Sequence, residues 1–181
     1  AQKDDQMVAR LRAAGALFIG KTNTPEFGLG SNTFNPVYGK TKNPYDLSKT
    51  CGGSSGGAAV ALATRMVSIS DGSDMMGSLR NPAAWNNVYG LRPTWGLIPP
   101  EPSGEIFLSQ LSTLGPMARS PKDLAMLLDV QANRAENRSF ISSVTTFSDF
   151  TKKPIMKGIK VGWLGDWGGT LAFEEDLLDL S

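Results

Sequence analysis

The chain contains no histidine among its 181 residues, and its only cysteine is Cys51. A Ser-His-Asp triad, a Cys-His pair and a His-containing zinc site are therefore excluded, and one Cys cannot make a thiolate site. An intramolecular disulfide is excluded as well, which favours a reducing, cytoplasmic setting. Any nucleophilic catalysis by this chain must use a base other than imidazole.

Long apolar runs are also missing, since no stretch approaches the roughly 20 residues of a membrane span. The N-terminus is polar and has no signal-peptide core. Formal net charge is +1, and lysines and arginines are interleaved with acids. We therefore expect neither a membrane nor a nucleic acid as a partner. The length and the 40 % hydrophobic fraction fit one globular domain, residues 1–181.

Short apolar segments alternate with helical patterns along the chain, which favours an α/β fold. The patterns predict helices over residues 4–14, 54–66, 79–85 and 124–130, and a helix start at residues 24–26. Ser120-Pro121-Lys122-Asp123 is a strong helix start, with serine as N-cap and an acid three residues later. Strands are predicted at residues 16–19, 67–70 and 158–164, and one within 88–100. The segments 28–53, 71–78 and 133–149 are predicted to be a surface loop, a turn and a linker.

Two segments rich in glycine and serine, residues 52–57 and 72–78, indicate close approach of the backbone to a ligand. If helices begin at Ser55 and Ser78, their free N–H groups converge and stabilise developing negative charge. Two other interpretations remain open, an ordinary loop and a phosphate site. However, no Gly-Lys-Ser/Thr follows the glycines, and the Gly-x-Gly-x-x-Gly and Gly-x-Ser-x-Gly patterns are absent.

These segments, taken with their flanking sequence, closely resemble the amidase signature. The matching stretches are residues 52–57, 72–74, 77–84 and 90–94, with further support from 20–27, 43–47, 115–119 and 123–125. The resemblance extends over about residues 5–132, and more weakly over 155–175. It implies an α/β fold in which helices flank both faces of a mixed sheet.

Members of this family hydrolyse or transfer across C–N amide bonds with a Ser–cis-Ser–Lys triad. The resemblance implies that Ser78 is the nucleophile and that Ser54 is the serine bonded through a cis peptide. It also implies an oxyanion hole made by the backbone N–H groups of Met75, Met76, Gly77 and Ser78. The family usually has a Gly-Gly pair before the nucleophile, where this chain has Met76-Gly77.

Asp74 and Arg80 match supporting polar positions of the family, with an ordinary structural ion pair or cap as an equal alternative. Ser55 is expected to be structural. The resemblance implies no metal and no organic cofactor. Two interpretations stay open for Met75, Met76, Trp85 and Trp95, which either line an apolar acyl pocket or are simple core residues. Tyr38 and Phe34, in the long loop, either gate the site or anchor the loop.

By the resemblance, the catalytic lysine lies well upstream of the serine pair, at a spacing that falls before Ala1. We therefore expect an internal piece of a longer amidase, with apolar surface exposed around residues 17–19 unless another chain covers it. The expected partners are a small-molecule amide, together with a second copy of the chain or the remainder of the amidase.

The expected function is hydrolysis of carboxamide C–N bonds through an acyl-enzyme on Ser78. Two alternatives stay open: an amidotransferase subunit that passes ammonia to another active site, and a fragment that keeps the scaffold but lacks the base.

Overall fold

A computed structural model of the protein describes residues 3–99, 110–132, 146–150 and 158–179. Its helices are α1 (Gln6–Ala13), α2 (Gly56–Ala63), α3 (Arg80–Trp85), α4 (Pro121–Ala132), α5 (Phe147–Phe150) and α6 (Glu175–Asp179), with a 3₁₀ turn at Glu26–Gly28. Its strands are β1 (Phe34–Asn35), β2 (Gly39–Lys40), β3 (Ile69–Asp74), β4 (Tyr89–Gly90) and β5 (Thr113–Ala118). The α/β architecture predicted from the sequence is confirmed.

Strand β5 is the centre of a three-stranded sheet in the order β3-β5-β4. β3 pairs with it antiparallel, from Ile69 opposite Ala118 to Asp74 opposite Thr113. β4 pairs with the other edge of β5, also antiparallel. β1 and β2 form a separate antiparallel hairpin within the predicted loop. The strand pairs in the described residues are thus antiparallel.

Helices cover both faces of this sheet, as the side chains of β5 show. Leu114 packs against a core cluster supplied by α1, α4 and the loop at Leu97 and Ile98. Met117 belongs to a second cluster, which α2 and α3 complete. Because odd and even positions of a strand point to opposite faces, the two clusters lie on opposite sides of the sheet.

The helix start predicted at Ser120 is confirmed in detail. The hydroxyl of Ser120 accepts the N–H of Asp123 at 3.1 Å and donates to the Asp123 carboxylate at 2.8 Å. At α1, the side chain of Asp5 accepts the N–H of Met7 at 3.0 Å. Both caps satisfy N–H groups that a helix leaves unpaired in its first turn.

Several predicted boundaries were wrong. Residues 16–19 and 158–164 form no strand, because a short apolar run becomes a strand only where another strand pairs with it. The turn predicted at 71–78 begins only after Asp74, since β3 occupies residues 69–74. The start at residues 24–26 leads only to the 3₁₀ turn. Most of the predicted linker 133–149 lies outside the described residues.

The apolar surface expected around residues 17–19 is present. Leu17 is 91 % exposed and Ile19 is 77 % exposed, and Phe18 is half-exposed beneath the guanidinium of Arg12. Side chains of this size contribute about 1.5–3 kcal/mol each when buried, so the segment is a strong candidate for covering by other protein. No helix in the described residues combines the length and apolar character of a membrane span.

Candidate active site

A fully buried carboxylate, Asp74, organises the loop that follows β3. Its Oδ1 accepts the N–H of Gly77 at 2.7 Å, and its Oδ2 accepts the N–H of Leu79 at 3.2 Å. The guanidinium of Arg80 binds the same carboxylate through Nε and Nη2, at 3.0 and 3.1 Å. The segment from Asp74 to Arg80 therefore wraps around one charge, with Ser78 on the bend.

Arg92 is a second guanidinium at this carboxylate, and the sequence pattern gave it no role. Its Nη1 donates to Asp74 Oδ1 at 2.8 Å, to the carbonyl oxygen of Asp74 and, at 3.1 Å, to that of Met75. Its Nη2 donates to the carbonyl oxygen of Leu111 at 2.6 Å. Arg92 thus joins the end of β3 to the residues before β5. The only feature of the sequence that pointed to Arg92 was its place in the Gly90-Leu91-Arg92-Pro93-Thr94 stretch, which matches the amidase signature.

Two opposing effects act on the pKa of Asp74. Burial raises it, because the interior disfavours charge, whereas hydrogen bonds from Arg80, Gly77, Arg92 and Leu79 lower it. The hydrogen bonds dominate and hold the pKa well below its usual range. Asp74 is therefore an ionised anchor for the loop, and it holds no proton to exchange with a substrate near neutral pH.

Ser78 is half-buried, and its carbonyl oxygen accepts the N–H of Ser55 at 3.3 Å. This bond brings the two glycine- and serine-rich segments into direct contact. The turn before Ser78 needs Gly77, which has a φ of +118°. This φ strains any residue with a side chain, so the turn favours glycine. A Cβ there would also lie 2.8 Å from the Asn81 side chain, which would have to move.

The peptide bond between Gly53 and Ser54 is cis, as the resemblance implies. Ser54 is 7 % exposed, and the structure records no hydrogen bond to its hydroxyl within the described residues. The chain before it is held from two sides. Thr33 donates from N and Oγ1 to the carbonyl oxygen of Gly52, at 3.1 and 2.8 Å. Asn86 Nδ2 donates to the carbonyl oxygen of Cys51 at 2.7 Å.

Ser55 has a different environment from Ser54. Its hydroxyl lies 3.3 Å from both the N–H and the carbonyl oxygen of Ser73, donating to the oxygen and accepting from the N–H. It does not cap α2, which begins at the next residue. Ser55 therefore ties the start of α2 to β3.

The implied oxyanion donors divide into two groups. The N–H of Gly77 donates to Asp74 Oδ1 in this geometry. Within the described residues, no hydrogen bond uses the N–H of Met75, Met76 or Ser78. Those three groups retain the capacity to bind developing charge.

A base for Ser78 is not found among the described residues. Every lysine described is exposed, and no lysine amine is hydrogen-bonded to Ser54 or Ser78. The thiol of Cys51 is fully buried and donates to the carbonyl oxygen of Thr41 at 3.2 Å. Burial raises its pKa, despite hydrogen bonds that lower it, so it does not compete as a thiolate nucleophile.

The sequence left the roles of six methionine and aromatic side chains open, and most of these side chains are exposed in the structure. Met76 is 81 % exposed, and Met75 and Trp85 are each 49 % exposed. Trp95 is half-buried. In the loop, Tyr38 is 80 % and Phe34 56 % exposed.

A cleft of about 670 Å³ lies between residues 21–27 and 35–41, and neither Ser54 nor Ser78 lines it. The described residues hold no cluster of three or more His, Cys, Asp or Glu placed to bind a metal.

Comparison with known proteins gives the family. A family model described as Amidase matches residues 1–175, and the chain therefore belongs to the amidase signature family. It is 52 % identical to the A subunit of glutamyl-tRNA(Gln) amidotransferase from Thermus thermophilus over 126 residues, 69 % of this chain and 26 % of that protein. The corresponding protein of Syntrophobacter fumaroxidans is 42 % identical and is matched over 88 % of this chain and 33 % of its own length.

Solved structures agree with this assignment. A bacterial aryl acylamidase of the amidase signature family superposes with a TM-score of 0.71 and 33 % identity, over 79 % of this chain and 30 % of that one. A 6-aminohexanoate cyclic dimer hydrolase with bound substrate gives a TM-score of 0.74 and 36 % identity, over 82 % and 32 %. The chain thus spans about a quarter to a third of the relatives it matches.

Proposed function

We propose that this chain carries the nucleophile loop of an amidase, and that Ser78 attacks the carbonyl carbon of a carboxamide. The observation that carries this proposal is the 3.3 Å hydrogen bond from Ser55 N–H to Ser78 C=O. It fixes the nucleophile loop against the residue that follows the cis Gly53–Ser54 bond. A half-buried hydroxyl beside unpaired backbone N–H groups is the arrangement that acyl transfer needs.

In the proposed reaction, Ser78 Oγ forms a bond to the carbonyl carbon as its proton passes to Ser54 and from there to the base. The negative charge on the substrate oxygen is stabilised by the N–H groups of Met75, Met76 and Ser78. When the C–N bond breaks, the base returns the proton to the departing ammonia or amine. Water then adds to the acyl ester and releases the carboxylic acid together with the free Ser78 hydroxyl.

The base in this proposal is a neutral lysine from outside the described residues. A lysine near a buried serine loses charge readily, because desolvation lowers the pKa of an ammonium group. General-base assistance is worth about 10²–10⁴-fold in rate. A chain that lacks this group keeps the scaffold and the nucleophile but retains only a small part of the rate, which is the fragment alternative stated above.

The second candidate function is that of an amidotransferase subunit. The identity of 52 % to the A subunit of a glutamyl-tRNA(Gln) amidotransferase favours it. In that case, the same chemistry on Ser78 releases ammonia from glutamine, and a partner protein consumes the ammonia. Glutamine hydrolysis that depends on a partner distinguishes this function from hydrolysis of aryl or aliphatic amides by the chain alone.

The test measures ammonia release from acetamide, benzamide and glutamine by the 181-residue chain and by its Ser78→Ala variant. Ser68→Ala is the matched control, because Ser68 is exposed and precedes β3 at the end opposite Asp74. We expect release by the parent and by Ser68→Ala, and none above background by Ser78→Ala. Trimethylamine, which accepts a proton but forms no stable amide, should raise the parental rate as its neutral fraction grows.

One outcome would contradict the proposal: a rate for Ser78→Ala equal to that of the parent, with and without trimethylamine, because no step would then depend on this hydroxyl. A rate on glutamine that exceeds those on the other two amides would favour the amidotransferase function.

A further inference from the structure

The side chain of Arg92 does more than neutralise Asp74, because it binds two consecutive backbone carbonyls. Its Nη1 lies within hydrogen-bond distance of the carbonyl oxygens of Asp74 and Met75. Its Nη2 is anchored 2.6 Å from the carbonyl oxygen of Leu111. The side chain is 24 % exposed. The planar guanidinium presents several N–H donors in a fixed fork, so it can hold these acceptors in one arrangement.

Because peptide units are planar, the contact between Arg92 and these two carbonyls also fixes the direction of the N–H groups of Met75 and Met76. In a trans peptide unit, the C=O and the following N–H point to opposite sides. The units 74–75 and 75–76 are both trans, since the cis bond lies at Gly53–Ser54. With both carbonyls turned toward Arg92, the N–H groups of Met75 and Met76 point away from it. Neither N–H has an acceptor within the described residues.

The third N–H is oriented by a separate contact in the same way. The carbonyl oxygen of Gly77 accepts the N–H of Asn81 at 2.8 Å, and the N–H of Ser78 in that peptide unit therefore points away from α3. Arg92 has no part in this bond. The N–H of Ser78 thus depends on the start of α3, whereas those of Met75 and Met76 depend on Arg92.

We propose that Arg92 is a positioning residue that orients the N–H groups of Met75 and Met76 toward the substrate oxyanion. This inference rests on the proposed function, because it assigns Arg92 a task in the acylation of Ser78. The N–H of Gly77 donates to Asp74 and is therefore not counted among the oxyanion donors. The proposal explains how the N–H groups of Met75 and Met76 are held in place without it. The oxyanion hole is then maintained by a side chain from outside the loop.

Arg80 provides the matched control for this proposal. It binds the same carboxylate with Nε and Nη2, but in the described structure its guanidinium makes no hydrogen bond to the carbonyls of Asp74 or Met75. Replacing either arginine with glutamine removes one positive charge from Asp74. Only the replacement of Arg92 also frees the two carbonyls. Effects that depend on charge appear in both variants, and effects that depend on carbonyl orientation appear only in Arg92→Gln.

The kinetic test compares an oxygen ester with the matching thionoester, whose C=S accepts hydrogen bonds poorly, in the parent, Arg92→Gln and Arg80→Gln. Loss of an oxyanion donor costs about 10²–10³-fold in kcat. We expect Arg92→Gln to lower kcat for the oxygen ester by about 10²-fold, with KM changed little, and to lower the thionoester rate far less. Arg80→Gln should leave the ratio of the two rates unchanged. An unchanged ratio in Arg92→Gln would overturn the proposal.

A second measurement needs no turnover and separates this inference from the proposed function. The chain has seven methionines, so selective ¹⁵N-methionine labelling gives seven amide signals, and Met75→Leu and Met76→Leu assign two of them. A ¹⁵N shift reports on the hydrogen bond accepted by the preceding carbonyl. Both signals should move in Arg92→Gln and stay near their parental positions in Arg80→Gln.

The two failures give different results. Equal hydrolysis by the parent and Ser78→Ala, together with shifted methionine signals, would reject the proposed function while leaving the carbonyl contacts of Arg92 intact. Methionine signals of Arg92→Gln that coincide with those of the parent would reject the positioning role, whatever the activity.

Discussion

The backbone N–H of Ser55 donates to the carbonyl oxygen of Ser78 at 3.3 Å, which joins two segments that are distant in the sequence. The hydroxyl of Ser55 is used elsewhere, on the backbone of Ser73. Three segments therefore meet at one residue: the cis Gly53–Ser54 bond, β3 and the loop that carries Ser78. This arrangement separates the expected roles of the two neighbouring serines, and it makes the difference between them measurable.

Replacing Ser54 and Ser55 with alanine, one at a time, should give opposite patterns of effects. Ser55→Ala leaves the N–H and carbonyl of Ser73 without their partner, so we expect a loss of about 1–3 kcal/mol of unfolding free energy. Ser54→Ala breaks no hydrogen bond within the described residues. Its stability should stay within about 0.5 kcal/mol of the parent, while amide hydrolysis falls about 10²–10⁴-fold.

Urea unfolding and ammonia release, measured on the same two preparations, check this prediction. The rate is compared without urea, at a temperature where both variants are folded. A Ser54→Ala variant with the parental rate would remove Ser54 from the proton path. A Ser55→Ala variant as stable as the parent would show that the contacts with Ser73 contribute nothing net.

The sequence predicted those features of the site that depend on local composition. The two glycine- and serine-rich segments, α2 and the cap at Ser120 are all encoded within a few neighbouring residues. Strand β5 was missed because it carries Gly115 and Pro116, which count against a central strand. This segment forms a strand because β3 and β4 pair with its two edges, which its own composition does not indicate.

Arg92 was missed for a related reason. Its acceptors include the backbone carbonyls of Asp74, Met75 and Leu111. Every residue has a carbonyl, so the stretch around Arg92 could mark the residue but could not predict these contacts. The hydrogen bond from the Gly77 N–H to Asp74 was not predicted, for the same reason: its donor is a backbone group. Sequence similarity can place a residue in a loop, whereas the direction of a peptide unit depends on which distant donor reaches it.

Asp74 makes the stability of the fold depend on pH in a defined direction. Its pKa in the folded chain lies below the roughly 3.9 of an unfolded aspartate. The carboxylate therefore contributes its full stability above about pH 4, and this contribution is lost as the pH falls through the folded pKa. Asp74→Asn removes this charge from the N–H groups of Gly77 and Leu79 and from two arginines, so we expect it to lower the unfolding free energy at neutral pH.

Denaturant unfolding of the parent and of Asp74→Asn between about pH 2 and 8 tests this prediction. The difference in unfolding free energy should be constant at neutral pH and shrink below about pH 4. Asp71→Asn is the matched control, because Asp71 is exposed on the same strand, and its difference from the parent should be small throughout. A difference for Asp74→Asn that persists unchanged at about pH 2 would mean that the ionised form has no special stability.

Gly57 should respond to alanine in the opposite sense from that predicted by helix propensity. Alanine in a helix interior is favoured over glycine by about 0.5–1 kcal/mol, and Gly57 lies in α2. However, a Cβ at this position would be 2.4 Å from the carbonyl oxygen of Asn23 and 2.6 Å from its nitrogen. Overpacking of this kind costs about 1–3 kcal/mol. We therefore expect Gly57→Ala to lower the unfolding free energy.

Gly20→Ala is the control for this measurement, because a Cβ at Gly20 meets no atom within 4 Å. Its thermal midpoint should stay near that of the parent, whereas the midpoint of Gly57→Ala should fall. The backbone of Asn23 cannot shift cheaply, because its side chain is tied to Thr41 at 3.0 Å and to Asn35 at 2.6 Å. An equal or higher midpoint for Gly57→Ala would contradict this prediction. It would show that the backbone of Asn23 can shift despite these hydrogen bonds, or that α2 can move relative to the cis Gly53–Ser54 bond that precedes it.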